Sequence, residues 1–149
     1  MSDGLTAHRC SVLVVDDDPD VRELLQVALQ AEGYLVAGVE NGRMALNHLR
    51  SHADTCIILL DLMLPVMDGS RFRTAQLHDR SLAWIPVIVM SGGDDSDRRA
   101  RQLGARRLVK KPLDLDAVKQ ALRSVGCCQA RPRKVRTAPQ PGRSGGLAE

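Results

Sequence analysis

Between Ser11 and Val125 the chain repeats one pattern five times: a short apolar run, then a longer stretch with helical spacing. The runs are "SVLVV", "YLVAGV", "CIILL", "IPVIVM" and "RLVK", each too short for a helix and bounded by polar or turn-forming residues. The stretches after them carry helix start and stop signals. In "DPDVRELLQVALQAEG" Asp18 is placed to cap the helix and Pro19 takes its first position. Leu24, Leu25, Ala28 and Leu29 form its apolar stripe, and Gly33 supplies the stop. "NGRMALNHLR" is capped by Asn41, "GSRFRTAQLH" and "DSDRRARQL" follow, and "DLDAVKQALRSV" is capped by Asp114. This alternation predicts an α/β fold, a doubly wound five-stranded parallel sheet with helices on both faces, because each right-handed crossover covers one face. "CIILL" is the most uniformly apolar run, as a central strand covered on both sides requires.

Open sheets of this kind bind ligands beyond the carboxyl ends of their strands. Those ends carry a distinctive set of residues. The first strand runs into Asp16, Asp17 and Asp18, the third into Asp61, the fourth into Ser91, and the fifth into Lys111 and Pro112. If the first and third strands are neighbours, they lie about 4.8 Å apart, which brings Asp17 and Asp61 into one acidic pocket. Two such charges repel by roughly 4 kcal/mol at 4 Å and an effective dielectric of about 20. A helix start accounts for Asp18 but not for Asp16 and Asp17, which precede the cap. Asp61 is a lone carboxylate inside "ILLDLMLPVMDG", a strongly apolar stretch. Either water screens the cluster at a helix start, or a cation sits among the carboxylates.

Charge and composition bound the rest of the chain. No segment approaches the roughly 18 uninterrupted apolar residues of a membrane span, and "MSDGLTAHRC" lacks the apolar core of a secretory signal. Cys10, Cys56, Cys127 and Cys128 show no metal-site spacing, so they read as reduced thiols and the protein as cytoplasmic. The expected layout is an N-terminal extension over 1–9, a domain over 10–125 and a basic tail over 126–149. That tail carries Arg131, Arg133, Lys134, Arg136 and Arg143 against Glu149, a net +4 within a total of +3. Rich in Pro and Gly and without apolar periodicity, it is expected to be disordered. Without aromatic interleaving it reads as a solvated linker, and no nucleic acid is expected as a partner.

The combination "VLVVDDDPDVR", "LLDLMLPVMDG", "VIVMSG" and "KKP", in this order, resembles the receiver domain of two-component response regulators. The resemblance spans about Cys10 to Val125 and implies the flavodoxin-like strand order 2-1-3-4-5. It further implies that Asp61 is the phosphoacceptor, with Pro65, Asp68 and Gly69 completing the turn after it. Asp17, Asp61 and the backbone carbonyl of Met63 would touch Mg²⁺ directly, with Asp16 acting through water. Ser91 would bond the phosphoryl group and Lys111 would pair with it, through a cis Lys111–Pro112 peptide. The implied partners are a sensor histidine kinase or histidine phosphotransfer protein and a downstream effector protein, with no membrane partner. The expected function is phosphorelay signal transduction by a stand-alone receiver that catalyses its own phosphorylation and dephosphorylation, rather than a classical enzyme.

The chemistry fits these residue types. Mg²⁺ favours hard oxygen ligands and keeps several waters. A carboxylate nucleophile gives an acyl phosphate, and charge spread over three phosphoryl oxygens calls for cations and hydroxyls around them. Two features depart from the family pattern. Gly92 and Gly93 follow Ser91, which is expected to make that loop more mobile. Leu108 stands three residues before the lysine, where relatives commonly carry an aromatic ring, so readout is expected to rest on the Ser91 loop. Lys110 reads as a solvated neighbour, Trp84 as packing at the entry to the fourth strand, and His8, His48, His52 and His78 as non-catalytic. Two alternatives compete: a degenerate receiver serving as a protein-interaction module, and a metal-dependent hydrolase with an aspartate nucleophile. The filled site positions argue against the first. Pro19 and Asp20 after Asp18, the lack of room for a cap and an unexplained Asp61 argue against the second.

Overall fold

The computed structural model describes residues 9–126. In chain order the elements are β1 (Ser11–Val15), α1 (Pro19–Ala31), β2 (Leu35–Val39), α2 (Gly42–Ser51), β3 (Ile57–Asp61), α3 (Gly69–Leu77), β4 (Val87–Ser91), α4 (Ser96–Gln102), β5 (Arg107–Lys110) and α5 (Leu115–Val125). The strands form one sheet, β2-β1-β3-β4-β5, and every pairing is parallel. This is the strand order 2-1-3-4-5 that the motifs imply. The caps also match: Asp18, Asn41 and Asp114 each accept a backbone N–H from the first turn of their helix. Asp68 does the same for α3.

Alternate side chains of each strand point to opposite faces, which divides the core in two. Val12, Val14, Ile57, Leu59, Ile88, Met90 and Val109 face one layer, where Leu25 and Leu29 of α1 meet Val118 and Leu122 of α5. Leu13, Val15, Ile58, Leu60, Val87 and Val89 face the other, against Leu46 and Leu49 of α2, Phe72 of α3 and Ala100 of α4. All residues of β3 and β4 are buried. The α1 stripe is narrower than expected, because Leu25 and Leu29 are buried while Leu24 is 46% exposed. Only one flank of α1 reaches the sheet, and Leu24 lies beyond it.

Gly33 ends α1 with φ of +98°, the left-handed region in which glycine is at ease. Trp84 packs, partly buried, beside the residues leading into β4, and its indole N–H donates to the Ser81 carbonyl at 2.9 Å. Cys10 is buried, and Cys56 is disulfide-bonded. This corrects the expectation of a reduced thiol at Cys56: spacing along the chain carries no signal for cysteines that the fold brings together. The expectations for Cys127, Cys128, His8, the N-terminal extension up to residue 8 and the tail from residue 127 lie outside the described residues.

Candidate functional site

Register decides what meets at the carboxyl edge of the sheet. Val15 of β1 is level with Leu60 of β3, Asp61 with Met90 of β4, and Ser91 with Lys110 of β5. The residues just past these positions therefore converge: Asp16 and Asp17 beside Asp61, with Ser91 and Lys111 on the far side. Carboxylate oxygens of Asp16, Asp17 and Asp61 all lie within 4.8 Å of one another. Asp18 stays out of the cluster, and its carboxylate accepts the Asp20 N–H at 2.9 Å as a helix cap.

Lys111 ties the two buried carboxylates together. Its Nζ donates to Asp16 Oδ2 at 2.8 Å and to Asp61 Oδ2 at 3.1 Å. The remaining oxygens take backbone donors: the Asp18 N–H reaches Asp16 Oδ1 at 2.9 Å, and the Met63 N–H reaches Asp61 Oδ1 at 3.1 Å. Asp16 is fully buried and Asp61 nearly so, whereas Asp17 is exposed. The Lys111–Pro112 peptide is cis, as the resemblance implies. Lys110 faces outward and makes only a long, exposed ion pair with Asp97, in keeping with a solvated neighbour.

Burial pushes the Asp61 carboxyl above its ordinary range, and the Met63 N–H and Lys111 counter this only in part. Burial pulls Lys111 down, yet the hydrogen bonds from Asp16 and Asp61 and their charges together outweigh it, so its ammonium ends above its usual value. A carboxylate made more basic by its setting is a better nucleophile than a free one, and the ammonium beside it stays charged. The donor set is all hard oxygen, with one exposed carboxylate next to two buried ones, which suits a small divalent cation.

The loop after Asp61 is tightly constrained. The Gly69 N–H donates to the Leu62 carbonyl at 3.1 Å. A Cβ at Gly69 would sit 2.8 Å from Leu62 Cα and 3.0 Å from the Asp61 carbonyl, so the loop closes only on glycine. Val66 in the same loop has φ of +64°, an outlier for a β-branched residue. Met63 and Val66 of this loop are 69% and 67% exposed.

Two groups escaped the sequence, one beside the site and one away from it. Ser96 is buried and its hydroxyl donates to that of Ser91 at 2.9 Å, although "DSDRRARQL" reads only as a helix. Arg73 and Gln76 read as polar positions of α3 but are buried. Arg73 donates to the Leu103 carbonyl at 2.8 Å and to Gln76 Oε1 at 2.7 Å, and Gln76 donates to the carbonyls of Leu82 and Ile85. No sequence pattern marks such partners, because they are backbone carbonyls of distant loops. His48 lies on α2, while His52 and His78 end α2 and α3; none reaches the acidic pocket.

Residues 12–123 match the family model described as the response regulator receiver domain. The chain is 34% identical over 137 residues to the transcriptional regulatory protein GltR of Pseudomonas aeruginosa, covering 85% of this chain and 54% of that one. It is 32% identical over 111 residues to the response regulator GtcR of Aneurinibacillus migulanus, covering 72% and 44%. The chain thus spans about half the length of the curated relatives it matches. Among solved structures, a response regulator receiver protein from Pseudomonas putida superposes with a TM-score of 0.73 at 26% identity, covering 79% of this chain and 98% of that one. Chemotaxis response regulator CheY4 of Vibrio cholerae gives 0.69 at 25% identity, covering 77% and 100%. With its strand order, its acidic edge and this match over most of its length, the chain belongs to the receiver domain family of two-component response regulators.

Proposed function

We propose that Asp61 accepts a phosphoryl group from a histidine kinase or a histidine phosphotransfer protein, and that the modified domain presents an altered surface to an effector protein. The observation that carries this is Lys111, whose ammonium bridges Asp16 and Asp61 at 2.8 and 3.1 Å. A cation there lets two carboxylates stay ionised side by side, and it can pair with an incoming phosphoryl oxygen. Asp61 Oδ would form a bond to phosphorus while the bond to the donor imidazole nitrogen breaks and its electron pair returns to the ring. Asp61 is the covalent participant this reading requires, and in it the domain is a self-modifying switch rather than a classical enzyme.

Mg²⁺ suits the donor set, and Asp17, Asp61 and the Met63 carbonyl would hold it, with Asp16 acting through water. Bound there, it would neutralise the cluster and help orient the phosphoryl oxygens. Asp17, being exposed, stands where an ion arriving from solvent would first meet a carboxylate. Ser91 ends β4, one residue past Met90, which is level with Asp61, and in this reading its hydroxyl would donate to a phosphoryl oxygen. We place this exchange in the cytoplasm, where ATP-fed kinases act. No helix among the described residues is long and apolar enough to cross a membrane. GltR is a transcriptional regulator by name, so a DNA-acting output remains the second reading for a longer natural chain. We assign no nucleic-acid contact to residues 9–126.

The test is phosphotransfer from a phosphohistidine donor or acetyl phosphate with Mg²⁺. Asp61→Asn should abolish labelling while the chain stays folded. Asp17→Asn should weaken labelling at low Mg²⁺ and regain part of it in excess. Undiminished labelling of Asp61→Asn would overturn the assignment.

A further inference from the structure

Cys56 is disulfide-bonded, and Cys10, the other cysteine among the described residues, is not its partner. The sequence holds two more cysteines, the adjacent Cys127 and Cys128 that follow Gly126. Disulfides formed in the cytoplasm are usually transient and redox-sensing, and that is where we place this domain. The bond at Cys56 therefore bears on regulation as well as on packing.

The fold brings the end of α5 toward Cys56. Each helix runs back antiparallel to the strand before it, so α5 ends at the amino edge of the sheet, where β3 begins. Cys56 stands just before β3, and its N–H donates to the Ser11 carbonyl of β1 at 2.7 Å. It belongs to the layer covered by α1 and α5, which also contains Leu122 and against which Val125 packs. Lys119 of α5 pairs with Glu32 at the end of α1 at 3.3 Å, which draws α5 over this part of the sheet. Gly126 then has φ of +91°, a left-handed conformation that turns the chain off the helix. Cys127 and Cys128 are two and three residues past Val125, a reach of about 7–11 Å, and a disulfide needs its Cα atoms within about 4.4–6.8 Å.

We propose that Cys56 and one of the adjacent Cys127 and Cys128 form a reversible redox latch that fastens the end of α5 to the amino edge of the sheet. Closing it takes two electrons and two protons from two thiols. With a peroxide as oxidant, one thiolate takes an oxygen to become a sulfenic acid, and the second displaces that oxygen as water. Opening it takes a thiol reductant of the glutathione type. Burial of Cys56, at 1% exposure, blocks attack on its own sulfur, so the reductant bonds to the tail sulfur and Cys56 leaves as a thiolate. The Ser11 N–H donates to Cys56 Sγ at 3.4 Å, which favours that thiolate. A second reductant thiol then frees the tail sulfur. Asp61 lies five residues further along β3, about 16 Å away at the opposite edge. The latch thus acts on α5 and the tail, and it stands independently of the acceptor assignment.

The test maps disulfides in the full chain, treated with peroxide or with reduced glutathione, alkylated, digested without further reduction and read by mass spectrometry. After peroxide, the peptide holding Cys56 should be linked to the one holding Cys127 and Cys128, and millimolar reduced glutathione should separate them. Reduction should lower the urea midpoint of the parent by about 1–2 M. It should leave the Cys127→Ser/Cys128→Ser double variant unmoved, although that variant keeps Cys56. Linkage of Cys56 to Cys10 or to a second chain would overturn the latch. So would thiols that stay unlinked under peroxide, or a bond that millimolar reduced glutathione leaves closed. Failure of acetyl phosphate to label Asp61 in both redox states would strike the acceptor assignment alone.

Discussion

Removing the Lys111 charge should expose how strained the acidic pocket is without a cation. Lys111→Met keeps the side-chain stem and deletes the ammonium that bonds Asp16 and Asp61. Asp16 is fully buried, and it would keep only one backbone donor, the Asp18 N–H, on its carboxylate. Breaking a buried ion pair by deleting one partner typically costs about 3–5 kcal/mol. Because the Lys111 side chain is 26% exposed, water relieves part of this, and we expect a loss of about 2–4 kcal/mol at pH 7. With a urea slope near 2 kcal/mol per molar, the unfolding midpoint should fall by about 1–2 M. Two further readings follow from the same charges. At low pH the gap should narrow, because burial raises the Asp61 carboxyl above its ordinary range and the neutral group no longer needs a counter-charge. Mg²⁺ should stabilise the variant more than the parent, because binding to the folded state alone adds stability and the variant pocket is more negative. Urea melts at pH 7 and pH 3.5, with and without Mg²⁺, give all of these values. An unchanged midpoint at pH 7, or a Mg²⁺ effect no larger than in the parent, would refute the account of the pocket.

Asp61→Asn should raise stability at neutral pH. Burial lifts the Asp61 pKa in the folded state, so the stability it contributes is present below its unfolded pKa and lost as pH rises through the folded value. The gain from the variant should therefore appear on that rise and vanish at low pH in melts at matched ionic strength. Arg73→Ala should cost about 2–4 kcal/mol, because it empties a buried site and orphans the Leu103 carbonyl and Gln76 Oε1; a loss under about 0.5 kcal/mol in denaturant would contradict the clamp. Gly69→Ala should cost about 1–3 kcal/mol, since its Cβ meets backbone at 2.8 Å, and thermal unfolding reads it directly.

What the sequence disclosed and what it hid differ in kind. Strand runs such as "SVLVV" and "RLVK", and caps such as Asp18 and Asn41, are local signals, and the structure places them where those signals fall. The meeting of Asp16, Asp17, Asp61 and Lys111 was legible because the parallel topology brings strand ends to one edge. Non-local facts stayed hidden. That Leu24 faces solvent while Leu25 does not depends on the angle at which α1 meets the sheet. That Arg73 and Gln76 are buried depends on carbonyls of loops around Leu82 and Leu103. Ser96 looked like one more polar residue in "DDSD", and only the fold of the β4–α4 loop sets it against Ser91.

The central claim is that Asp61 is the atom donor's target, and locating the modified residue tests it most directly. The chain is incubated with acetyl phosphate and Mg²⁺, treated with borohydride to reduce the acyl phosphate to an alcohol, digested and read by mass spectrometry. We predict that the reduced residue is Asp61, in the peptide that contains "ILLDLMLP", with Asp16 and Asp17 unmodified. Modification at Asp16 or Asp17, or at none of the three in a protein whose melt shows it folded, would contradict the account.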